Sequence, residues 1–230
     1  MTRAFWLLAA SLPLTAQPKL LVNAQVDTRP VSASLDPEFR RLLAAQSQPA
    51  WIGYSVPASR NARLGCEYVR DNFSTPGVVH LEPAKEAVIL FRVEAKEVGQ
   101  IRALSMDCEI DAGGLPVHWL TGVKPTESIA LLATFALDTD RTGNGALSAI
   151  GGHMDTAAVD VLVRIAQDNR NPGLQRRAVS ALISTTEGVP ALIQLVKTAP
   201  DAALRKQAMS SLQQSRDPRA LGFFEDLLKR

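Results

Sequence analysis

Pro172-Gly-Leu-Gln-Arg-Arg-Ala-Val-Ser-Ala-Leu182 is the stretch that decides the fold of the C-terminal part of this 230-residue chain. Leu174, Ala178 and Leu182 recur in it at helical spacing, which predicts a helix with one buried face. The pattern returns about thirty residues later and about thirty residues earlier, in Ala208-Met-Ser-Ser-Leu212 and Ala146-Leu-Ser-Ala-Ile150. Repetition at a period of about 30 residues is typical of stacked helical repeats.

A second apolar pattern precedes each of these helices and recurs once more after the last one. Its members are spaced at i, i+3, i+6 and i+7 and occur as Ile129/Leu132/Phe135/Ala136, Val159/Leu162/Ile165/Ala166, Val189/Leu192/Leu195/Val196 and Leu221/Phe224/Leu227/Leu228. The unit is therefore a pair of helices, and such a pair must stack on its neighbours to bury both apolar sides. We expect an all-α solenoid over residues 125–230, with Leu162, Leu182, Leu192 and Leu212 buried between the layers.

The repeated segments resemble HEAT repeats, in particular the short HEAT-like repeats of phycobilisome lyases. The resemblance is carried by Pro172–Leu182, by Pro200-Asp-Ala-Ala-Leu-Arg-Lys-Gln-Ala-Met209 and by Asp217-Pro-Arg-Ala-Leu221. It covers about 100 of the 230 residues. The whole chain is also similar to exported bacterial proteins with HEAT repeats. The resemblance implies the fold and export, but no activity, because HEAT solenoids serve many functions.

Residues 1–16 predict a signal peptide. Arg3 is followed by an apolar run, Ala4–Leu12, and Thr15-Ala16 offers a cleavage site with small residues. A buried N-terminal helix is the alternative. The apolar run is too short to span a membrane, which takes about 20 residues, and no later run is long enough either. The sequence therefore predicts an exported protein, periplasmic or secreted, without a membrane span in the mature chain.

Residues 17–120 differ in pattern and predict a β-rich α+β domain. Apolar alternation and β-branched runs predict strands over residues 20–27, 51–56, 78–81, 87–93, 101–110 and 117–120, and Asp36-Pro37 begins a short helix. Gly113-Gly114 and Gly151-Gly152 are expected in turns. The predicted fold class is thus an α+β N-terminal unit followed by an all-α HEAT-like α-solenoid.

Composition excludes some classes of partner. The formal net charge is only +2, and aromatic residues make up 5% of the chain. Nucleic-acid binding requires a strongly basic face, and single-strand binding uses aromatic platforms. We therefore expect no nucleic-acid partner.

The chain has two cysteines, Cys66 and Cys108. An even number of cysteines in an exported chain predicts a disulfide. Two unpaired thiols are the alternative, and in that case Cys66 is a candidate nucleophile with His80 as its base. A zinc site is not expected, because no paired ligands surround either cysteine.

Catalytic and metal-binding motifs are weak. His80, His118 and His153 are widely separated, belong to no ligand pair and are expected to be structural. Asp138-Thr-Asp-Arg-Thr-Gly-Asn-Gly145 resembles the start of a calcium loop, but its twelfth position is Ala149 instead of glutamate. A turn between two helices is the favoured interpretation. We expect no metal site and no cofactor.

The second helices of two adjacent pairs carry a basic strip. Equivalent positions hold Arg176 and Lys206, with Arg177 and Arg205 beside them, and one turn further on Ser180 and Ser210. Cations near a helix N-terminus are mildly unfavourable for stability, so their placement suggests use in binding. The strip predicts an acidic protein partner; a solvated helix face with internal ion pairs is the alternative.

Three functions remain open from the sequence. The first is a non-enzymatic interaction module or scaffold of the bacterial cell envelope. The second is an enzyme or enzyme subunit of the lyase type, with a pocket between the β-rich unit and the first repeat lined by His118, Trp119 and Asp138. The third is a regulatory partner of one other exported protein.

Overall fold

A computed structural model of the protein describes residues 21–66, 69–70, 73–74, 82–138, 141–168 and 171–229. The predicted signal peptide (1–16), the strand predicted over 78–81 and His80 lie outside these ranges.

The described chain forms a mixed α/β unit followed by seven helices. The strands are β1 (Leu21–Val22), β2 (Gln25–Pro30), β3 (Ala50–Pro57), β4 (Val69–Arg70), β5 (Phe73–Ser74), β6 (Glu86–Glu94), β7 (Glu97–Ser105), β8 (Ile110–Asp111) and β9 (Pro116–Thr121). The helices are α1 (Leu35–Ala45), α2 (Pro125–Phe135), α3 (Arg141–Gly152), α4 (Ala157–Asp168), α5 (Pro172–Leu182), α6 (Gly188–Thr198), α7 (Ala202–Gln213) and α8 (Pro218–Leu228).

Five strands form the main sheet, in the order β2-β9-β3-β6-β7. The first three strands are parallel to one another, β6 is antiparallel to β3, and β7 is antiparallel to β6. Alternate residues of β3 point to opposite faces because a strand has a side-chain period of two. Ile52, Tyr54 and Val56 belong to the core shared with the helices, whereas Trp51 packs with a second apolar cluster on the other face.

The inner face of the sheet packs on helices through three phenylalanines. The Phe39 ring on α1 lies 4.7 Å from the Phe91 ring on β6, centroid to centroid, and 6.1 Å from the Phe135 ring at the end of α2. The rings are tilted or edge-on, which is the favoured arrangement of aromatic pairs. The sheet and the helices therefore share one hydrophobic core.

The seven helices after the sheet pack pairwise, as α2 with α3, α4 with α5 and α6 with α7. The first helices of the pairs (α2, α4, α6 and α8) contact one another in order, and so do the second helices (α3, α5 and α7). Leu162, Leu182, Leu192 and Leu212 are all buried, which confirms the prediction from the periodicity.

Short turns with side-chain caps set the helix ends. Asn171 accepts hydrogen bonds from the amides of Gly173 and Leu174, and Asp201 accepts one from the amide of Ala203. Each cap satisfies backbone donors that the first turn leaves unpaired. Asn171 and Asp201 therefore help to fix the residues at which α5 and α7 begin.

The sheet and the helices also meet through backbone hydrogen bonds. The Ser59 amide donates to the Gly152 carbonyl at 2.8 Å, and the Met154 amide donates to the Pro57 carbonyl at 3.1 Å. At the edge strand β7, α3 approaches so closely that a Cβ added at Gly145 would clash with the Ile101 carbonyl oxygen. Only glycine allows this close approach.

Two predicted strands were wrong in extent. The strand predicted over residues 20–27 breaks at Asn23, whose φ is +48°, so β1 and β2 belong to different sheets. The strand predicted over 101–110 ends at Ser105, and Cys108 lies in the turn that follows. In both places a tight turn interrupts a segment that is apolar on either side.

The two glycine pairs differ in their roles. Gly113 and Gly114 have positive φ angles of +67° and +76°, which confirms the predicted turn. The prediction for Gly151-Gly152 was wrong, because both residues lie in the last turn of α3. A Cβ on Gly151 would lie 2.7 Å from the Ala181 carbonyl oxygen, so this glycine lets α3 pack closely on α5.

Candidate functional site

The basic strip lies on two helices that contact each other, α5 and α7. Arg176 and Lys206 occupy equivalent exposed positions in their helices. Ser180 lies four residues after Arg176, and Ser210 lies four residues after Lys206. Each serine is therefore on the same helix face as its cation. Ser180 is exposed and Ser210 is half-buried. The structure thus places these four residues on one stretch of surface.

The other two cations of the strip are engaged by backbone carbonyls. The Arg205 guanidinium donates to the carbonyls of Ala199 and Pro200 at 2.6 and 2.9 Å, just after the end of α6. A cation at this position satisfies carbonyls that the helix end leaves unpaired and opposes the negative end of the helix dipole. Arg205 therefore stabilises the turn between α6 and α7.

Arg177 links two of the second helices. Its guanidinium donates to the Gly173 carbonyl at 3.2 Å and to the Asn144 side-chain oxygen on α3. Arg177 thereby joins α5 to the pair before it. Arg177 and Arg205 thus contact other parts of the fold. Within the described part of the chain, Arg176 and Lys206 are the two exposed cations of the strip, and these two can meet a partner.

A second polar cluster lies deep in the core and joins β3, α2 and α3. The Tyr54 hydroxyl lies 2.8 Å from Ser128 Oγ, and that oxygen lies 2.9 Å from His153 Nε2. His153 Nδ1 lies 2.7 Å from the Ala149 carbonyl oxygen. A carbonyl only accepts, so Nδ1 carries a proton; burial lowers the pKa of His153 and keeps the ring neutral, so Nε2 accepts from the Ser128 hydroxyl. The Tyr54 hydroxyl then donates to Ser128.

Burial controls the ionisation of this cluster. It lowers the pKa of His153 below the ordinary value of 6.5 and raises the pKa of Tyr54. A neutral histidine that accepts from a serine hydroxyl has the geometry of a general base. Tyr54, Ser128 and His153 are all fully buried, however, so this serine has no access to a substrate. The cluster acts as an internal hydrogen-bonded joint between the sheet and the first helix pair, and His153 is structural.

His118 and Trp119 point to opposite faces of β9. The His118 ring lies on the side of α1, with Nε2 2.8 Å from the Gln46 side-chain nitrogen and Nδ1 3.5 Å from the Asp27 carboxylate. Trp119 is buried in the second apolar cluster on the other face. Asp138, beyond the end of α2, accepts a hydrogen bond from Thr142. The three residues proposed for an enzymatic pocket therefore do not converge.

Cys66 and Cys108 form a disulfide, as predicted, with a Cα–Cα distance of 5.1 Å. Both sulfur atoms are used in this bond, so the alternative of Cys66 as a nucleophile is wrong. The bond ties the segment before β4 to the turn between β7 and β8, and it packs in the second apolar cluster.

The segment resembling a calcium loop runs into a helix. Helix α3 begins at Arg141, so Thr142 and Gly145 have helical backbone in place of loop geometry. Among the described residues, no three His, Cys, Asp or Glu side chains are grouped closely enough to hold a metal ion. Nor does any helix within the described ranges have the length and apolar character needed to cross a membrane.

The sequence matches no protein-family model, and no curated protein is significantly similar to it.

Proposed function

We propose that the protein is a non-enzymatic protein-binding module or scaffold of the bacterial cell envelope, built on a HEAT-like solenoid. The observation that carries this proposal is the surface formed by Arg176 and Lys206. Both cations are exposed on adjacent helices, while their neighbours Arg177 and Arg205 are held by the fold.

The way in which successive helix pairs contact one another supports a solenoid. First helices contact first helices, and second helices contact second helices. Equivalent positions of successive pairs therefore form rows on the surface, and a row is the kind of extended surface that repeat proteins present to partners. The resemblance of Pro172–Leu182 and Pro200–Met209 to HEAT repeats points the same way.

The disulfide and the leader-like N-terminus support the envelope location. Disulfides persist in oxidising compartments and are rare in the reducing cytosol. The Cys66–Cys108 bond fits a chain that is exported by a signal peptide over residues 1–16.

The partner that we propose is an acidic protein surface. Arg176 and Lys206 lie on a chain whose net charge is only +2, so their attraction is local to α5 and α7. Exposed charges of this kind raise the association rate and select the partner more than they add affinity. A scaffold with several partners and a regulator with one dedicated partner both fit this surface, and the number of proteins captured distinguishes them.

The decisive experiment is a double charge reversal, Arg176→Glu with Lys206→Glu. The mature wild-type chain and the variant are immobilised and exposed to the native envelope fraction, and the bound proteins are quantified by mass spectrometry. We expect the variant to retain roughly tenfold less of an acidic protein, through slower association. Melting temperatures should agree, because exposed charges add little to stability.

The matched control is Lys85→Glu with Arg164→Glu, which changes the net charge equally. Both residues are exposed, Lys85 before β6 and Arg164 on α4, a first helix. This variant should capture the partner as the wild type does. Equal capture by all three proteins would place the partner elsewhere, and unfolding of the Arg176/Lys206 variant would show that these cations stabilise the fold.

A further inference from the structure

The outer face of the sheet, opposite the helices, carries a cavity of about 530 Å³. Its floor is made by alternate residues of four strands, as the register shows. Val117 of β9 pairs with Trp51 of β3, and Leu90 of β6 pairs with Arg102 of β7. These side chains point away from the helical core because their neighbours in sequence face it. The volume lies within the range of small-molecule sites.

The roof of this sheet cavity is a separate piece of chain. It consists of Cys108–Gly113 and Leu115, with Leu21 of β1 at the side. Strand β1 pairs with β8 in a two-stranded parallel sheet, and the Cys66–Cys108 bond joins the roof to the segment before β4. Asp111 accepts hydrogen bonds from Asn23 and from the Gly113 amide, which fixes the turn at the end of the roof. One side of the cavity is therefore covered by a segment that the disulfide, the β1–β8 pairing and these hydrogen bonds hold in place.

The lining of the cavity combines apolar and polar groups. Its apolar part includes Trp51 of β3, Val117 of β9 and Leu104 of β7, with Leu115 from the roof. Its polar part includes Gln100 and Arg102 of β7 and Glu109 from the roof. An apolar cavity with a few polar groups is the usual form of a small-molecule site, and it suits a ligand with an apolar body and one polar head.

We propose that this sheet cavity binds a small amphiphile. The apolar body lies on Trp51 and Val117 under Leu115, and the head lies between Gln100, Arg102 and Glu109. These three side chains offer both donors and acceptors, so the head carries a group that can donate and accept, such as an amine, amide or hydroxyl. The site is separate from the α5/α7 surface of the proposed function and does not depend on it.

The probe for this proposal is N-phenyl-1-naphthylamine, an apolar ring system with one N–H group that fluoresces when it leaves water. The wild-type chain should bind it saturably, with one site per chain. In ¹H–¹⁵N spectra the indole resonance of Trp51, assigned by comparison with Trp51→Phe, should shift on saturation. Fluorescence without a shift of that resonance would mean that the probe binds elsewhere, for example at the exposed leucines of α8, and would overturn the proposal.

A pair of glutamine-to-tryptophan variants tests the position of the site. Gln100→Trp places a ring in the polar part of the cavity and should weaken probe binding by tenfold or more. Gln25→Trp makes the same change on exposed β2, outside the cavity lining, and should bind the probe as the wild type does. Equal binding by both variants would refute the site. If Gln100→Trp does not fold, Leu115→Trp tests the apolar part in the same way, and the Trp51 resonance of the wild type decides independently.

Discussion

The helices and the sheet bury their apolar side chains against partners at very different distances along the chain. The helices from α4 onward pack mainly on neighbouring helices of the same or the adjacent pair, whereas α3 also packs on β7. In the sheet, Gln25 of β2 pairs with Pro116 of β9, and a disulfide joins Cys66 to Cys108. Contacts between neighbours can be lost locally, whereas long-range pairings support one another. We therefore expect damage to spread through the sheet and to stay local in the last helices.

Removal of the disulfide should cause the largest loss of stability. It tests how far the sheet depends on links between distant parts of the chain. Its two cysteines are 42 residues apart, so the double variant Cys66→Ser/Cys108→Ser should lose about 4 kcal/mol of unfolding free energy through the less constrained unfolded chain. Urea unfolding measures this loss, and reduction of the wild type by dithiothreitol should reproduce it. A loss below about 1 kcal/mol would show that the roof of the sheet cavity is held by packing alone.

Truncation of one leucine between helices tests whether damage stays local. Leu192 is fully buried in α6, so Leu192→Ala should cost about 3 kcal/mol by leaving a cavity. In native-state hydrogen exchange, the amides of α6, α7 and α8 should lose protection while those of β3 and β6 keep theirs. The control is Leu221→Ala on α8, where the leucine is 63% exposed and the cost should stay within about 0.5 kcal/mol. Equal loss of protection in the sheet would mean that the two regions unfold as one unit.

The smallest change in the free energy of unfolding is expected at His153, in the hydrogen-bonded joint between the sheet and the helices. Burial lowers its pKa in the folded chain below 6.5, so the unfolded chain binds more protons as the pH falls through 6.5. The stability that depends on neutral His153 is thus complete above this pH and is lost on acidification, at up to about 1.4 kcal/mol per pH unit. Urea unfolding between about pH 5 and 7.5 should show this slope in the wild type and a shallower one in His153→Gln. Parallel slopes would contradict the assignment of the neutral histidine.

The helices could be predicted from the sequence because their signals are local. Four segments repeat one apolar spacing at intervals of about thirty residues. The disulfide was predicted from the cysteine count. The position of the basic strip could be predicted as well, since it follows from the helix register.

The sequence could not predict that Arg177 and Arg205 contact the fold while Arg176 and Lys206 are exposed. Arg205 contacts the Ala199 carbonyl only because the turn after α6 brings that group within reach, and such geometry is not a property of residue type. The Tyr54–Ser128–His153 joint was missed for a related reason. Its members lie on β3, on α2 and directly after α3, and a buried serine on α2 has no distinctive pattern in the sequence. The sheet cavity was missed because its floor depends on the order of four strands.

The parallel pairing of β2 with β9 imposes an order of assembly on the growing chain. Strand β2 is among the first described segments to be synthesised, but its partner β9 follows only after β3, β6 and β7. Until β9 is made, β2 and β3 cannot be joined in one sheet, because β9 lies between them. The helices from α2 onward come afterwards and can be added pair by pair onto a finished surface. A chain interrupted before Thr121 would therefore expose unpaired strand edges, which are templates for aggregation, whereas one interrupted after α5 would retain the complete sheet with its first two helix pairs.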